Sequence, residues 1–213
     1  MIFFVTVLGI ILSFLIFINR AERFGPNFYF ALFFFSHSFF AVTSFAFLSE
    51  GYRMFIANIY PYSIILNMAS GPFLYIYFLA VFKPNFKFKK VYLLHFLPSL
   101  LFFINGFPYL FMDSELKNRL INEFTTNPAT VFKLPTLVLP YIFHVIFRVV
   151  QSFIYLLMAF RLFFNSFKGN KFKLKNDQGY HYSYYCLSFL FAFGYYGTSI
   201  YAGLNINPSN TLF

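Results

Sequence analysis

Acidic residues are scarce in this chain: six among 213, against sixteen lysines and arginines. None falls in a long apolar run, so no buried carboxylate pair for acid–base chemistry is evident. There is one cysteine, Cys186, which excludes an intrachain disulfide. Tryptophan is absent. Charged residues make up only 10% of the chain, where a soluble domain carries about 25%. Dinucleotide loops, phosphate loops, paired-cysteine motifs and the His-Glu-x-x-His pattern are all missing, as are internal repeats and low-complexity segments.

What the chain does have is apolar surface. It is 60% hydrophobic, with 39 phenylalanines, a composition that belongs to membrane proteins. No basic region precedes the first apolar run and no small-residue cleavage site follows it, so that run is expected to stay in the membrane. A bilayer core about 30 Å thick needs roughly 17–25 apolar residues per helix. Six runs meet this: 2–18, 27–48, 62–82, 91–107, 136–160 and 180–204. The expected fold is therefore an all-α polytopic transmembrane bundle.

Basic residues orient it. The turn after the third run holds Lys83, Lys87, Lys89 and Lys90, and Pro84 stops the helix before it. Loops one, three and five together carry eleven lysines and arginines, against four in loops two and four. The odd-numbered loops are thus expected in the cytoplasm and both ends of the six-span chain outside. The net charge of +10 reads as this topology signal and not as a nucleic-acid footprint. Lys83, Lys87, Lys89 and Lys90, with Lys171, Lys173 and Lys175 of the fifth loop, are candidate contacts for anionic lipid headgroups. Tyr180, Tyr182, Tyr184 and Tyr185 mark an interface belt. In the exterior loop 108–135, Leu116, Leu120, Ile121 and Phe124 share one helical face, with Asp113 or Ser114 as its cap, which predicts a short helix on the membrane surface.

Polar groups inside spans are costly and mark candidate sites. Tyr141, His144, Arg148, Gln151 and Tyr155 form one stripe on the fifth span, with Arg148 at its midpoint and no intraspan acid to pair with. His37 lies at matching depth in the second span, and Asn67 in the third. His37, Asn67, His144, Arg148 and Gln151 are the candidate ligand-binding set, expected around a pocket between the second, third and fifth spans. A bis-histidine metal or haem site from His37 and His144 is the weaker reading, because no motif supports it, and no cofactor is expected. Gly71-Pro72 and Pro98 interrupt helical hydrogen bonding and are candidate hinges. Gly194 and Gly197 would let the sixth span approach a neighbour closely.

Three stretches carry a resemblance: Gly71-Pro72-Phe73-Leu74-Tyr75-Ile76-Tyr77, Lys83-Pro84-Asn85-Phe86-Lys87-Phe88-Lys89-Lys90 and Leu94-His95-Phe96-Leu97-Pro98. With the pattern from Gln151 to Tyr155 and the ending Asn207-Pro208-Ser209, they resemble the membrane-embedded N-terminal regions of bacterial AraC-type helix-turn-helix transcription regulators. Related regions also precede some sensor histidine kinases. The resemblance implies a multi-pass protein of the bacterial inner membrane that passes a membrane or periplasmic cue to a cytoplasmic DNA-binding domain, without catalysis of its own. It also implies a seventh span and that DNA-binding domain, neither of which these residues contain, so the chain would be a truncated member. The lipid bilayer is the expected partner, DNA would be reached only through the missing domain, and homodimerisation stays open. The competing class is a small transporter or channel that uses the Arg148 stripe for an anionic substrate. An intramembrane enzyme is disfavoured, since no nucleophile–base pair or metal set is seen.

Overall fold

A computed structural model describes residues 2–18, 25–48, 53–83 and 85–168. The described residues are all helix and connection, without strands. They comprise α1 (Ile2–Ile18), α2 (Pro26–Leu48), α3 (Arg53–Phe82), a 3-10 segment Lys90–Phe96, α4 (Leu97–Asn105), α5 (Phe107–Leu110), α6 (Ser114–Thr126), a 3-10 segment Pro128–Lys133 and α7 (Tyr141–Lys168). The expected sixth span, with Gly194, Gly197 and the tyrosines 180–185, lies outside the described residues, as do Lys171, Lys173 and Lys175.

Helix α3 is the axis. On one side it takes α2 running the opposite way, with Phe30 on Tyr77 (ring centroids 5.0 Å) and His37 beside Asn67. On the other it takes α7 running the same way, with Tyr155 against Gly71 and Phe163 against Phe82. The segment 90–105 returns antiparallel to α3, pairing Phe96 with Phe73 and Phe103 with Tyr62. The core is centred on Leu74, Ile76, Tyr77 and Phe78, all at most 1% exposed, closed by Phe30 and Phe33 from α2 and Leu156 and Ala159 from α7. Helix α1 rests on α2 at Gly9, where a Cβ would strike Ser38.

Several boundaries differ from the sequence reading, each for a physical reason. Helix α3 starts at Arg53, nine residues before the apolar run, and spans 30 residues. An apolar run marks the stretch that avoids water, and a helix can continue beyond it. The expected fourth span is not one α-helix. Pro98 has no N–H to donate, so it sits in the first turn of α4, where none is needed, and the residues before it take the tighter 3-10 form. Pro98 therefore starts a helix and does not bend one. Helix α3, by contrast, runs unbroken through Pro72. The expected fifth span is shifted: α7 begins at Tyr141, directly after Pro140, and runs to Lys168. Arg148 is thus the eighth of 28 residues and not the midpoint.

Helix α3 ends where its sequence says it must. Lys83 N–H donates the last helical bond to Leu79, Pro84 follows, and Asn85 reverses the chain at φ 54°, a conformation asparagine tolerates. Helix α6 forms as expected, capped by Asp113 Oδ2, which accepts from Glu115 N–H at 3.0 Å. Its inward face is offset from the predicted one: Lys117 and Ile121 are buried while Leu116 is 44% exposed.

Among the described residues two helices, Tyr62–Phe82 and Tyr141–Asn165, are long and apolar enough to cross a bilayer, where six such spans are expected from the sequence along the chain. Among the described residues, large apolar side chains are also exposed on several helices. Ile146, Val150, Ile154 and Leu157 on α7, Leu93, Leu97, Leu100 and Leu101 on the returning segment, and Ile11 and Leu15 on α1 all stand about half exposed. Water-soluble monomers rarely expose large contiguous apolar patches.

Candidate functional site: polar groups along the α7 stripe

The α7 stripe lies against α2, α3 and the returning segment, and its residues take separate partners. At the end nearer α6, His144 is 4% exposed and its Nε2 lies 2.7 Å from Asn105 Nδ2. The orientation of Asn105 is fixed by its other bonds. Its Oδ1 accepts from Val138 N–H (2.9 Å) and Leu139 N–H (3.0 Å), and its Nδ2 also donates to Leu139 O (2.8 Å). Nδ2 is therefore the donor to His144, so Nε2 must be the acceptor and the His144 proton sits on Nδ1. Asn105 clamps the 134–140 strap and α7 to the end of α4. A cavity of about 20 Å³, the size of one water, lies beneath the strap, lined by Ile64, Phe102, Tyr109, Pro135 and His144 among others.

Below the strap, Tyr109 and Lys117 fasten α5 and α6 to the start of α3. The Tyr109 hydroxyl donates to Ala57 O at 2.7 Å, and burial pushes its pKa up to about 12. Lys117 Nζ donates to Asn58 Oδ1 (3.2 Å) and Leu110 O (3.1 Å), and lies 5.5 Å from the Tyr109 ring centre. Sequence reading missed Asn105, Tyr109 and Lys117. The Asn105-Gly106 turn pair was the one available signal for the first.

The middle of the bundle holds the other candidates. His37 Nδ1–H donates to Asn67 Oδ1 (2.8 Å) with the imidazole edge-on to Phe33, and Ser70 Oγ donates to Asn67 O. The Arg148 guanidinium lies 5.3 Å from the centre of the Phe40 ring, one turn beyond His37 on α2. That face attracts a cation but accepts none of its five N–H groups. Gln151 is 5% exposed, and its amide atoms make no well-formed hydrogen bond among the described residues; the Tyr155 hydroxyl, one turn away, is within reach only at poor geometry.

Towards the lysine turn, the Tyr155 hydroxyl and His95 Nδ1 are 2.9 Å apart, and Tyr75 packs on both rings. The candidate hinge Gly71 has a packing role here. A Cβ at Gly71 would lie 2.8 Å from Tyr155 Cδ2, so glycine allows α3 and α7 to touch. Lys83, Lys87, Lys89 and Lys90 are all exposed at this end. Every described acid (Asp113, Glu115, Glu123) lies on α6 or its cap, at the opposite end.

No protein-family model, curated protein or solved structure matches this chain. Among the described residues no group of three or more His, Cys, Asp or Glu side chains is placed to hold a metal ion. What the stripe and the facing α2 offer chemically is hydrogen bonding in an apolar setting: one cation on an aromatic face, one amide without a well-formed described bond, and His144 and His37, engaged by Asn105 and Asn67.

Proposed function

We propose that this chain is a multi-pass membrane bundle that serves as the sensor and anchor region of an AraC-type transcription regulator in a bacterial inner membrane. The observation that carries the sensing role is the pair Arg148 and Gln151. A cation without a described acid and a buried amide without a well-formed described hydrogen bond sit one turn apart on a helix that a bilayer would surround. Such groups are expensive in hydrocarbon, and an arriving anionic or polar group would satisfy both.

The membrane reading draws on the exposed apolar faces and on length. Helix α3 offers a predominantly apolar stretch of 21 residues, about 31 Å of rise. The returning segment has only 16 residues, but seven are in 3-10 form with about 2.0 Å rise each, so it covers roughly 27 Å. That is about 3 Å short of a roughly 30 Å core, a mismatch that local thinning of the bilayer accommodates, and a crossing would return the chain to the side opposite the lysine turn. We place that turn in the cytoplasm and α6 outside, with six crossings in the chain and the DNA-binding domain encoded beyond it.

The gene tests the regulator role first: a helix-turn-helix coding segment in frame after residue 213 supports it, and a stop codon there contradicts it. In the full-length product, Arg148→Leu should accumulate in the membrane normally and abolish the response of a reporter gene. A variant that accumulates and responds like the parent would leave only an anchor.

A further inference from the structure

Between α1 and α2, near the lysine turn, runs an open apolar groove of about 180 Å³ lined by Ser13, Phe14, Phe17, Ala31, Leu32 and Phe35. A continuous file of aromatic rings joins it to the lysines. Phe17 meets Phe28 (5.6 Å), Phe28 meets Tyr29 (5.3 Å), and Phe88 stacks on Tyr29 (6.2 Å) with Phe86 edge-on to the same ring. Residues 86–89 form no helix, and Lys89 is extended at φ −106°, ψ 142°. In extended chain alternate side chains point to opposite faces. Phe86 and Phe88 therefore settle on Tyr29, and Lys87 and Lys89 project the other way, exposed. The Phe-Lys-Phe-Lys pattern thus sets two ammonium groups at the same end of the bundle as the slot's Phe17, three ring contacts away along the file, and every described acid lies at the far end.

We propose that this groove seats an acyl chain of an anionic phospholipid whose phosphate is held by Lys87 and Lys89. The proposal rests on the membrane reading above. Its occupant follows from charge complementarity: the groove wants hydrocarbon, and its mouth wants an anion. A phospholipid supplies both on one molecule.

Native mass spectrometry of the full 213-residue chain, released from detergent mixed with phosphatidylglycerol and phosphatidylcholine, reads the site directly. The parent should retain phosphatidylglycerol in preference to phosphatidylcholine. Lys87→Gln with Lys89→Gln should lower that preference roughly thirtyfold, about fivefold for each lysine lost near a charged surface. Leu32→Phe, which fills the slot from a half-buried position, should lower retention of both lipids. Equal retention of the two lipids by the parent would overturn the proposal, as would parent-like preference in the double lysine variant. Displacement of the lipid by soluble glycerol phosphate at matching concentration would show a free-anion site and also overturn it. So would a lipid-free dimer, which would mean that a second copy covers the groove. Extraction of the parent from vesicles by alkaline carbonate is a separate outcome, because it sinks the membrane reading itself.

Discussion

Replacing Asn105 by alanine removes four hydrogen bonds and leaves everything else at that position in place. The lost bonds are those from Val138 N–H and Leu139 N–H to Oδ1 and those from Nδ2 to Leu139 O and His144 Nε2. The bond from Leu137 N–H to the Asn105 carbonyl survives, because it uses the backbone. Val138 is 83% exposed and Leu139 43% exposed, so water can replace the three bonds to the strap at little cost. His144 is 4% exposed, and its Nε2 would be left with no donor. A buried acceptor stranded in this way costs about 1–3 kcal/mol, and the strap bonds add a few tenths each, giving about 2–3 kcal/mol in total. For a chain of this size that lowers Tm by roughly 5–10 °C. Thermal unfolding in detergent, followed by far-UV circular dichroism, measures it, and proteolysis should cut the freed 134–140 strap first. Arg119→Ala is the control. Its ion pair with Glu115 spans 3.5 Å between side chains 66% and 84% exposed, and such pairs contribute little. An Asn105→Ala protein that melts with the parent and resists protease equally would refute the clamp.

Gly71→Ala should destabilise by about 1–3 kcal/mol, because its Cβ would press on Tyr155, and unfolding curves would show it. Gly106→Ala should be neutral or slightly stabilising in the same assay, since φ is −82° and the nearest contacts are 3.5 Å away. Tyr109 predicts an alkaline transition. Its folded-state pKa is raised from 10 to about 12, so its contribution is intact below pH 10 and is lost as pH rises towards 12. The loss amounts to up to roughly 2–3 kcal/mol, and Tyr109→Phe should remove that part of the pH dependence; a variant that retains it counts against the assignment. Lys117→Ala should free α6 and speed proteolysis within 114–126, whereas unchanged cleavage would contradict its role as a fastening.

The helical class and the apolar segments were legible because hydropathy and proline placement are local properties. Lys83-Pro84 ended α3 where it should, and Asp113 capped α6 as its position implied. Helix limits were less legible wherever helix and apolar run part company. Arg53 to Pro61 fall outside the apolar run, set apart by Arg53, Asn58 and Pro61, yet extend α3, and Pro98 looks like a mid-span break yet opens α4. The stripe on α7 was visible as a 3.6-residue period. Its partners were not, because Asn105 comes 39 residues before His144, and nothing local ties the two together. The same holds for Tyr109 and Ala57, whose bond spans 52 residues.

The central claim is that the lysine turn and α6 lie on opposite sides of a membrane. Single cysteines at Lys87 and at Glu115, each in a Cys186→Ser background, test it with an impermeant thiol reagent on intact spheroplasts. The account predicts that Glu115→Cys is labelled at once and that Lys87→Cys reacts only after the membrane is opened. Labelling of Lys87→Cys in intact spheroplasts, with Glu115→Cys protected, would contradict it.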